Sequence, residues 1–302
     1  MQSPMSPDPS LDPPKPPYPR MVRRDGDLGP VVIGHARAPL SDLYHQMLSL
    51  SLAGVLALMA ATFVVINLMF TGLYLLDPAG IANLHRGDVW NAFFFSVETF
   101  GTIGYGYYYP ASLAANLIMA LETFVGLVYV ALATGLVFAR VSRPTARVTF
   151  SRVAVITSFD GEQTLMFRAA NRRANQILEA EVMVTLALDG RTAEGHEVRR
   201  FDELRVRRAR SPLFAFTWTV MHHIDETSPL WGATAQSLAE QQVELIVVLS
   251  GVDDRYAQRV HTRYSYTAGE IVWGKRLADV LSVGPSGRRV VDYRRFHDVE
   301  EV

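Results

Sequence analysis

The sequence contains no cysteine, and its formal net charge is only −1. The absence of cysteine excludes disulfides and thiolate metal sites. No hydrophobic run carries repeated arginines, so the chain has no voltage-sensing helix of that kind. His222 and His223 are not part of an H-E-x-x-H zinc pattern, and we interpret them as structural. The near-neutral charge gives no support for a nucleic-acid partner.

Charge is scarce above all between positions 46 and 139. Met47–Leu76 contains no Asp, Glu, Lys, Arg or His, and Ala111–Ala139 contains a single charged residue, Glu122. Each run is long enough to cross about 30 Å of hydrocarbon. A buried helix pair in a soluble protein is the alternative, but runs of this length favour membrane spans. The sequence therefore predicts two spans, at about 47–76 and 111–140.

A shorter apolar and aromatic segment, Val89–Phe100, lies between these runs. It is too short to span, and Asp88 is a suitable N-cap for a helix. We predict a re-entrant helix over 89–101 that ends at a glycine-rich loop. Non-helical backbone at membrane depth survives only where it is buried or lines water.

The loop, Thr102–Gly106, reads Thr-Ile-Gly-Tyr-Gly, which is the sequence of a potassium selectivity filter. Such a filter binds K⁺ through backbone carbonyls, here those of Thr102, Gly104 and Tyr105, and through the Thr102 hydroxyl. Successive carbonyls face one way only if the backbone alternates in hand, and Gly104 and Gly106 reach positive φ at low cost. Ile103 and Tyr105 are expected to pack away from the ions and to brace the loop. An ordinary glycine-rich loop is the alternative, but the G-x-G-x-x-G spacing of a dinucleotide loop is absent.

The two ends of the chain differ from this middle region. Residues 1–19 hold eight of the sixteen prolines, and we predict a disordered tail over 1–36. Leu40–Leu48 has the spacing of a short amphipathic helix in the membrane interface, or else forms the first turns of the span. The positive-inside rule places both termini in the cytoplasm. The arginines that support this orientation are Arg20, Arg23, Arg24 and Arg37 before the first span and Arg140, Arg143 and Arg147 after the second.

From about residue 150 the pattern becomes one of short runs rich in Val, Ile, Phe and Thr. Regular short strands separated by turn signals are typical of an all-β sandwich. We therefore predict a β-sandwich over 149–302 that follows a pore domain over 37–148. The predicted strands are 152–158, 163–170, 177–188, 213–221 and 243–250, and the turn signals are Asp160-Gly161, Asp189-Gly190 and Ser250-Gly251.

This order of elements resembles that of the inward-rectifier potassium channels, most closely the bacterial KirBac members. The resemblance extends from about residue 37 to the end of the chain. Its motifs are Asp42-Leu43-Tyr44-His45, Glu98–Gly106, Ser211-Pro212-Leu213, His223-Ile224-Asp225-Glu226, Ser228-Pro229-Leu230 and Glu270-Ile271-Val272-Trp273-Gly274. The filter alone indicates a potassium channel, whereas the later blocks select this family. The resemblance implies a homotetramer in a bacterial inner membrane, with an immunoglobulin-like cytoplasmic sandwich.

The resemblance also implies roles for particular residues. Gly126 lies at the hinge position of the inner helix, Gly135 lies near the cytoplasmic constriction, and Phe138 is expected to narrow the pore there. Val130 occupies the position at which strong rectifiers have an acid, so block by Mg²⁺ or polyamines in the cavity should be weak. Glu194 resembles an acid of the cytoplasmic pore, although a solvated loop charge is an equal interpretation.

Further implied roles lie at the membrane interface and beside the filter. Asp42, Tyr44 and His45 belong to the interfacial slide-helix motif, and anionic lipids are expected at Arg37, Arg140, Arg143 and Arg147. Glu98 and Thr99 are expected to support the filter. In many relatives Glu98 pairs with an arginine ten residues later, but Tyr108 stands there. We expect Glu98 to accept hydrogen bonds from filter amides or tyrosine hydroxyls, or to carry a proton part of the time.

Two other classes of function are consistent with parts of the chain. A membrane-tethered binding module would need the sandwich but has no use for Thr102–Gly106. A membrane-anchored enzyme would need a convergent set of acid, base or nucleophile, and no motif suggests one. The role of Glu122 also stays open at this point, between helix packing and a direct effect on ions.

Overall fold

The computed structural model describes residues 20–23, 47, 50–77, 79–142, 146–173, 175–284 and 287–302. The chain divides into two compact units. One unit is Gly34–Arg143, and the other combines Pro144–Val302 with Met1–Ile33. Asp42, Tyr44, His45, Arg37 and Arg143, which carry sequence predictions, lie outside the described residues.

The first unit contains two long helices, α1 (Leu52–Tyr74) and α3 (Leu113–Val141), with the shorter α2 (Val89–Phe100) between them. Serine side chains cap both long helices, because Ser51 accepts from the Gly54 N–H and Ser112 accepts from the Ala115 N–H. At 23 and 29 residues, the long helices extend about 34 and 43 Å. Few of their apolar side chains are buried within the chain, unlike those of a core helix in a soluble protein.

Helix α2 begins at the predicted residue and ends one residue before the predicted end, since Gly101 is its C-cap. The Asp88 carboxylate accepts from the Asn91 N–H at 3.1 Å, and the Gly101 N–H donates to the Val97 carbonyl at 2.9 Å. One face of α2 is buried against α1 and α3, through Ala92, Phe95, Ser96 and Phe100. A small antiparallel pair, β1 (Ile81–Ala82) with β2 (Tyr109–Pro110), joins the segments on either side of α2 and its loop. The sequence pattern did not indicate this pair.

The second unit is a β-sandwich of two five-stranded sheets. The strands of these two sheets are β3 (Val148–Phe150), β4 (Ala154–Phe159), β5 (Glu162–Asn171), β6 (Ile177–Arg191), β7 (Glu197–Glu203), β8 (Arg210–Phe214), β9 (Thr217–His223), β10 (Glu244–Asp253), β11 (Gln258–Thr267) and β12 (Ile271–Trp273). One sheet has the order β11-β10-β6-β7, with β8 also paired to β6; the other has the order β12-β4-β5-β3, with β9 also paired to β5. The helix α4 (Ala235–Glu240) and the short strands β13 (Lys275–Leu277), β14 (Leu281–Val283), β15 (Arg289–Val291) and β16 (Val299–Glu301) complete the unit.

The two sheets share one hydrophobic core. Alternate residues of β5, such as Leu165 and Phe167, belong to the same buried cluster as Val184 of β6 and Val247 of β10. Trp218 of β9 is also part of that cluster. Strand alternation accounts for this arrangement, because successive side chains point to opposite faces of a sheet.

Of the three predicted turns, only Asp160-Gly161 is a turn. Both residues have positive φ, 53° and 85°, and they join β4 to β5 as a two-residue hairpin loop requires. The other two predictions are wrong. Asp189-Gly190 lies inside β6, where Asp189 is paired with Arg199 of β7. Ser250-Gly251 lies at a bulge inside β10.

The predicted strand 213–221 is also wrong as a single element. It is divided between β8, which pairs with β6, and β9, which pairs with β5 in the other sheet. The chain crosses between the sheets at Ala215 and Phe216, where no strand is formed. Both flanking strands contribute side chains to the same core. The sequence is therefore apolar on both sides of the crossing, and its pattern does not show where one strand ends and the next begins.

Residues 20–23 lie in the segment predicted as a disordered tail, but they contact the sandwich. Glu244, which is fully buried, accepts from the Met21 and Val22 N–H groups at 2.8 and 3.0 Å. Arg20 pairs with buried Glu270 at 2.5 Å. Buried carboxylates require such partners, so the polar groups of this segment satisfy acids that would otherwise be costly to bury.

Candidate selectivity filter

The loop after α2 alternates in backbone hand. Thr102, Gly104 and Gly106 have φ of 55°, 63° and 84°, whereas Ile103 and Tyr105 stay outside the positive region. This alternation of hand is what directs consecutive carbonyl groups to one side of the chain. The two glycines are those for which the sequence predicts positive φ.

The alternation begins at Thr102, two residues before the first of these glycines. Thr102 is a β-branched residue with positive φ, which is an unfavourable conformation that only surrounding structure can enforce. Hydrogen bonds from the end of α2 provide that constraint. The Thr102 N–H donates to the Thr99 carbonyl at 3.1 Å, and the Ile103 N–H donates to the Glu98 carbonyl at 2.7 Å.

Within one chain the filter side chains have little cover. Ile103 is 50% exposed and Tyr105 is 77% exposed, although the sequence predicts that both brace the loop. Side chains of this size are expected to be covered in the working assembly. Tyr107 is better supported, because its ring meets that of Tyr108 edge to face at 4.8 Å and its carbonyl accepts from Asn83 at 2.7 Å.

The carboxylate of Glu98 has no hydrogen-bond or ion-pair partner among the described residues of this chain. The predicted bonds to filter amides and tyrosine hydroxyls are therefore not formed within the protomer. The contribution of Glu98 here comes from its backbone carbonyl, which holds Ile103. The expectation that the Glu98 carboxylate supports the filter stays a prediction for the assembled protein.

Helix α3 lies very close to the end of α2 at Gly126. A Cβ atom at this position would lie 2.5 Å from the carbonyl oxygen of Phe100, the last residue of α2. A Cβ at Gly135 would meet nothing within 4 Å. Val130 and Phe138, the predicted cavity and gate residues, are 56% and 72% exposed, so most of each side chain is uncovered within the chain.

Tyr129 is a further contact that the sequence pattern did not single out. Its hydroxyl donates to the Met59 carbonyl of α1 at 2.6 Å. Its ring lies 5.3 Å from that of Phe100 and 6.5 Å from that of Phe63. Tyr129 therefore joins α1, α3 and the end of α2, and a lone tyrosine in an apolar helix was the available signal.

Two of the four predicted lipid-binding arginines can be described. Arg140 donates through Nε to the Leu50 carbonyl at 2.8 Å, which ties the end of α3 to the start of α1. Arg147 is exposed, and its carbonyl accepts from the Arg172 N–H at 2.8 Å. The two arginines thus differ, because Arg140 has a structural partner for its side chain.

Glu194 lies in the exposed loop between β6 and β7. A hydrogen bond with the Thr192 side chain holds the pKa of Glu194 below its usual range, so the side chain is a carboxylate at neutral pH. This is the charge state that a cation-binding role requires. It is equally the state of an ordinary solvated acid, so the geometry leaves both interpretations in place.

His222 is buried and both of its ring nitrogens are bonded. Nδ1 lies 2.8 Å from the Arg205 carbonyl oxygen, and Nε2 lies 2.7 Å from the Ser228 hydroxyl. Because a carbonyl only accepts, Nδ1 carries the proton and Nε2 accepts from Ser228. Burial lowers the pKa of His222, which favours this neutral form. His222 therefore has the structural role that the sequence predicts, fixing the loop of Ser228 against the sandwich.

Comparison with known proteins places this geometry in a family. Residues 148–302 match the family "Inward rectifier potassium channel C-terminal domain", and residues 54–143 match the family "Ion channel". The chain is 40% identical over 290 residues to the inward rectifier potassium channel Kirbac3.1 of Paramagnetospirillum magnetotacticum, covering 95% of this chain and 98% of that protein.

Human relatives share the same region at lower identity. The G protein-activated inward rectifier potassium channel 1 of Homo sapiens is 30% identical over 87% of this chain, which spans 57% of the human protein. The inward rectifier potassium channel 4 of Homo sapiens is 34% identical over 72% of this chain and 51% of its own length. Because these two family models together match nearly all of residues 54–302, and a relative that is 40% identical covers 95% of the chain, this chain belongs to the inward-rectifier potassium channel family and is a membrane ion channel, not an enzyme.

Proposed function

We propose that four copies of this chain surround one axis and that K⁺ crosses the membrane passively between their Thr102–Gly106 loops. The observation that supports this most strongly is the alternation of positive φ at Thr102, Gly104 and Gly106, directly after a capped helix. One loop supplies too few oxygens to replace the hydration shell of an ion, whereas rings of oxygens from four loops do so. The exposure of Ile103 and Tyr105 in a single chain supports the same assembly.

Three features support a gate below this filter. Gly135 has open space around it, so neighbouring inner helices can approach closely there. Phe138, one turn later and exposed, would form a ring of four aromatic side chains that closes the pore by excluding water. Gly126 is the proposed hinge, and its contact with Phe100 means that movement there is coupled to α2.

The proposed regulators are anionic lipids at the membrane interface. Arg140 and Arg147 follow the second span, and juxtamembrane arginines attract anionic headgroups. Lipid binding would move the sandwich and the inner helices together.

Val130 offers no carboxylate to Mg²⁺ or polyamines in the cavity, so rectification from that site should be weak.

The arginines that precede the first span and follow the second support cytoplasmic termini in a bacterial inner membrane.

Structure determination of the assembled protein with Rb⁺ in place of K⁺ tests the filter assignment. The proposal predicts fourfold symmetry and anomalous density on the axis, level with the carbonyl groups of residues 102–106. Native mass spectrometry of the same sample should report a tetramer. A tetramer without axial density at this level would contradict the assignment, and a monomer or dimer would contradict the assembly.

A further inference from the structure

Glu122 is the one acidic residue of α3, and it is completely buried within a single chain. Both carboxylate oxygens are occupied. Oε2 accepts from the Tyr74 hydroxyl at 2.7 Å, and Oε1 accepts from the Ser96 hydroxyl. A carboxylate enclosed in this way does not line the water-filled path, so an electrostatic effect on passing ions is not its first role. Acids at membrane depth are costly and are usually kept for function.

The two donors come from different helices. Tyr74 is the last residue of α1, and Ser96 lies in the middle of α2. Glu122 therefore joins all three helices of the pore unit at one point. Asn67 of α1 stands behind Ser96, with its side-chain and backbone oxygens 3.1 and 3.2 Å from the Ser96 hydroxyl. Because a hydroxyl has one proton, these oxygens are alternative acceptors and keep Ser96 satisfied if it turns away from Glu122.

The position of this cluster relates directly to the filter. Glu122 and Gly126 are four residues apart on α3, and Ser96 and Phe100 are four residues apart on α2, so the two helices touch in register at successive turns. Phe100 is followed at once by Gly101 and by Thr102, where the filter begins. A short, capped helix moves as a unit, so whatever fixes Ser96 also fixes the height and rotation of the first filter residue.

We propose that Glu122 is a positioning residue for the selectivity filter, which acts through hydrogen bonds from Ser96 and Tyr74 without touching an ion. This inference rests on the proposed function of residues 102–106. The role assigned to Glu122 is mechanical, because its carboxylate ties α2 to the two spanning helices and so keeps the filter rings at the spacing that distinguishes K⁺ from Na⁺. Loss of the tie should therefore alter ion discrimination before it alters assembly.

The test uses the full-length protein in liposomes, with K⁺, Rb⁺ and Na⁺ fluxes, Ba²⁺ block and native mass measured on each variant. Ser96→Ala and Tyr74→Phe each remove one donor and keep the shape of the site. We expect each to lower the K⁺/Na⁺ flux ratio by about tenfold, the scale set by one hydrogen bond to a charged group. Glu122→Met should lower it further, whereas Glu122→Gln, which keeps oxygen and nitrogen in place, should stay within about twofold of the wild type.

Thr123→Val is the matched control. Thr123 follows Glu122 on the same helix, and among the described residues the hydroxyl it loses donates a hydrogen bond only to the Met119 sulfur of that helix, at 3.8 Å. Unchanged discrimination in tetrameric Ser96→Ala and Tyr74→Phe would overturn the proposal, even if Glu122→Met failed to assemble. Equal loss in Thr123→Val would also overturn it, since the effect would then be general to the helix. A wild-type protein that conducts no K⁺ would contradict the proposed function itself, which separates the two failures.

Discussion

Gly126 lies so close to Phe100 that a single added methyl group would come within 2.5 Å of the Phe100 carbonyl oxygen. This contact joins α3 to the last residue of α2, which lies two residues before the start of the filter loop. The family resemblance suggested Gly126 as a hinge. The geometry adds a steric requirement at the same position, because only glycine permits the approach.

The first prediction follows from this contact. Gly126→Ala should force α3 and α2 apart and should reduce K⁺ flux by at least about tenfold, since overpacking typically costs about 1–3 kcal/mol. The matched control is Gly72→Ala in α1, where a Cβ would meet nothing within 4 Å. Flux into liposomes and the thermal stability of the tetramer measure both effects. If the two variants had the same K⁺ flux and the same thermal stability, the close contact at Gly126 would not be required for either property.

A second prediction concerns Thr102, which combines positive φ with a proposed ligand hydroxyl. Thr102→Val keeps the shape but removes the hydroxyl, and we expect Ba²⁺ to block about tenfold more weakly, as loss of about 1.4 kcal/mol implies. Thr102→Ser keeps the hydroxyl and relieves the β-branch, so its Ba²⁺ block should stay near the wild type. Ba²⁺ dose–response curves on reconstituted protein decide between them. If Ba²⁺ blocked both variants equally well, the Thr102 hydroxyl would not be a ligand of the ion.

The parts of this molecule that were predictable from sequence are those governed by local chemistry. Runs with almost no charge predict the two long helices, Asp88 predicts the start of α2, and Gly104 and Gly106 predict two of the three positive-φ positions. The misses have non-local causes. Asp189-Gly190 is held in β6 by pairing with β7, and the positive φ of Thr102 is imposed by bonds from α2. The passage of the chain from one sheet to the other at Ala215, and the hydrogen bonds of Glu122, depend on which strands and helices pack together in the folded protein.

A third prediction concerns pH and His222. Burial lowers the pKa of His222 in the folded protein, so the unfolded chain binds more protons once the pH falls below about 6.5. The free energy of unfolding of the sandwich should therefore decrease as the pH falls through that value, by at most about 1.4 kcal/mol per pH unit. At higher pH the His222 ring is neutral in both the folded and the unfolded state, so its titration should not change the free energy of unfolding.

Tryptophan-fluorescence melting curves between about pH 7.5 and about pH 5 measure the effect. His222→Gln should lower the melting temperature overall but flatten its dependence on pH. The exposed His261 provides the control, because His261→Gln should leave the slope unchanged. His297, whose pKa is also lowered by burial, keeps a residual slope in both variants. If the melting temperature of His222→Gln depended on pH as steeply as that of the wild type, another group would be responsible for the pH dependence.

The fourth prediction separates lipid binding from helix anchoring. Arg147→Gln should weaken the dependence of flux on anionic lipid while leaving thermal stability unchanged, because the Arg147 side chain is exposed. Arg140→Gln should change both, since it also removes the bond to the Leu50 carbonyl. Flux as a function of anionic lipid fraction, with Arg191→Gln on the sandwich surface as control, measures this. Lipid dependence that survives both substitutions would contradict the interfacial mechanism.

The fifth prediction concerns rectification. Val130→Asp would place a carboxylate in the proposed cavity, where four such groups attract a polyvalent cation strongly. We expect spermine to block outward current at concentrations at least about tenfold lower than for the wild type. Val128→Asp, two residues earlier and on a different face of the same helix, is the control. The same increase in both variants would show that Val130 does not face the ion path.

The most direct test of the account is K⁺ flux into liposomes that contain the purified protein, with Na⁺ in place of K⁺ as the control and Ba²⁺ as blocker. We expect uptake that is selective for K⁺ and abolished by Ba²⁺. Uptake of Na⁺ at the same rate, or no Ba²⁺-sensitive uptake across a range of anionic lipid contents and pH, would contradict the assignment of residues 102–106 as a working selectivity filter.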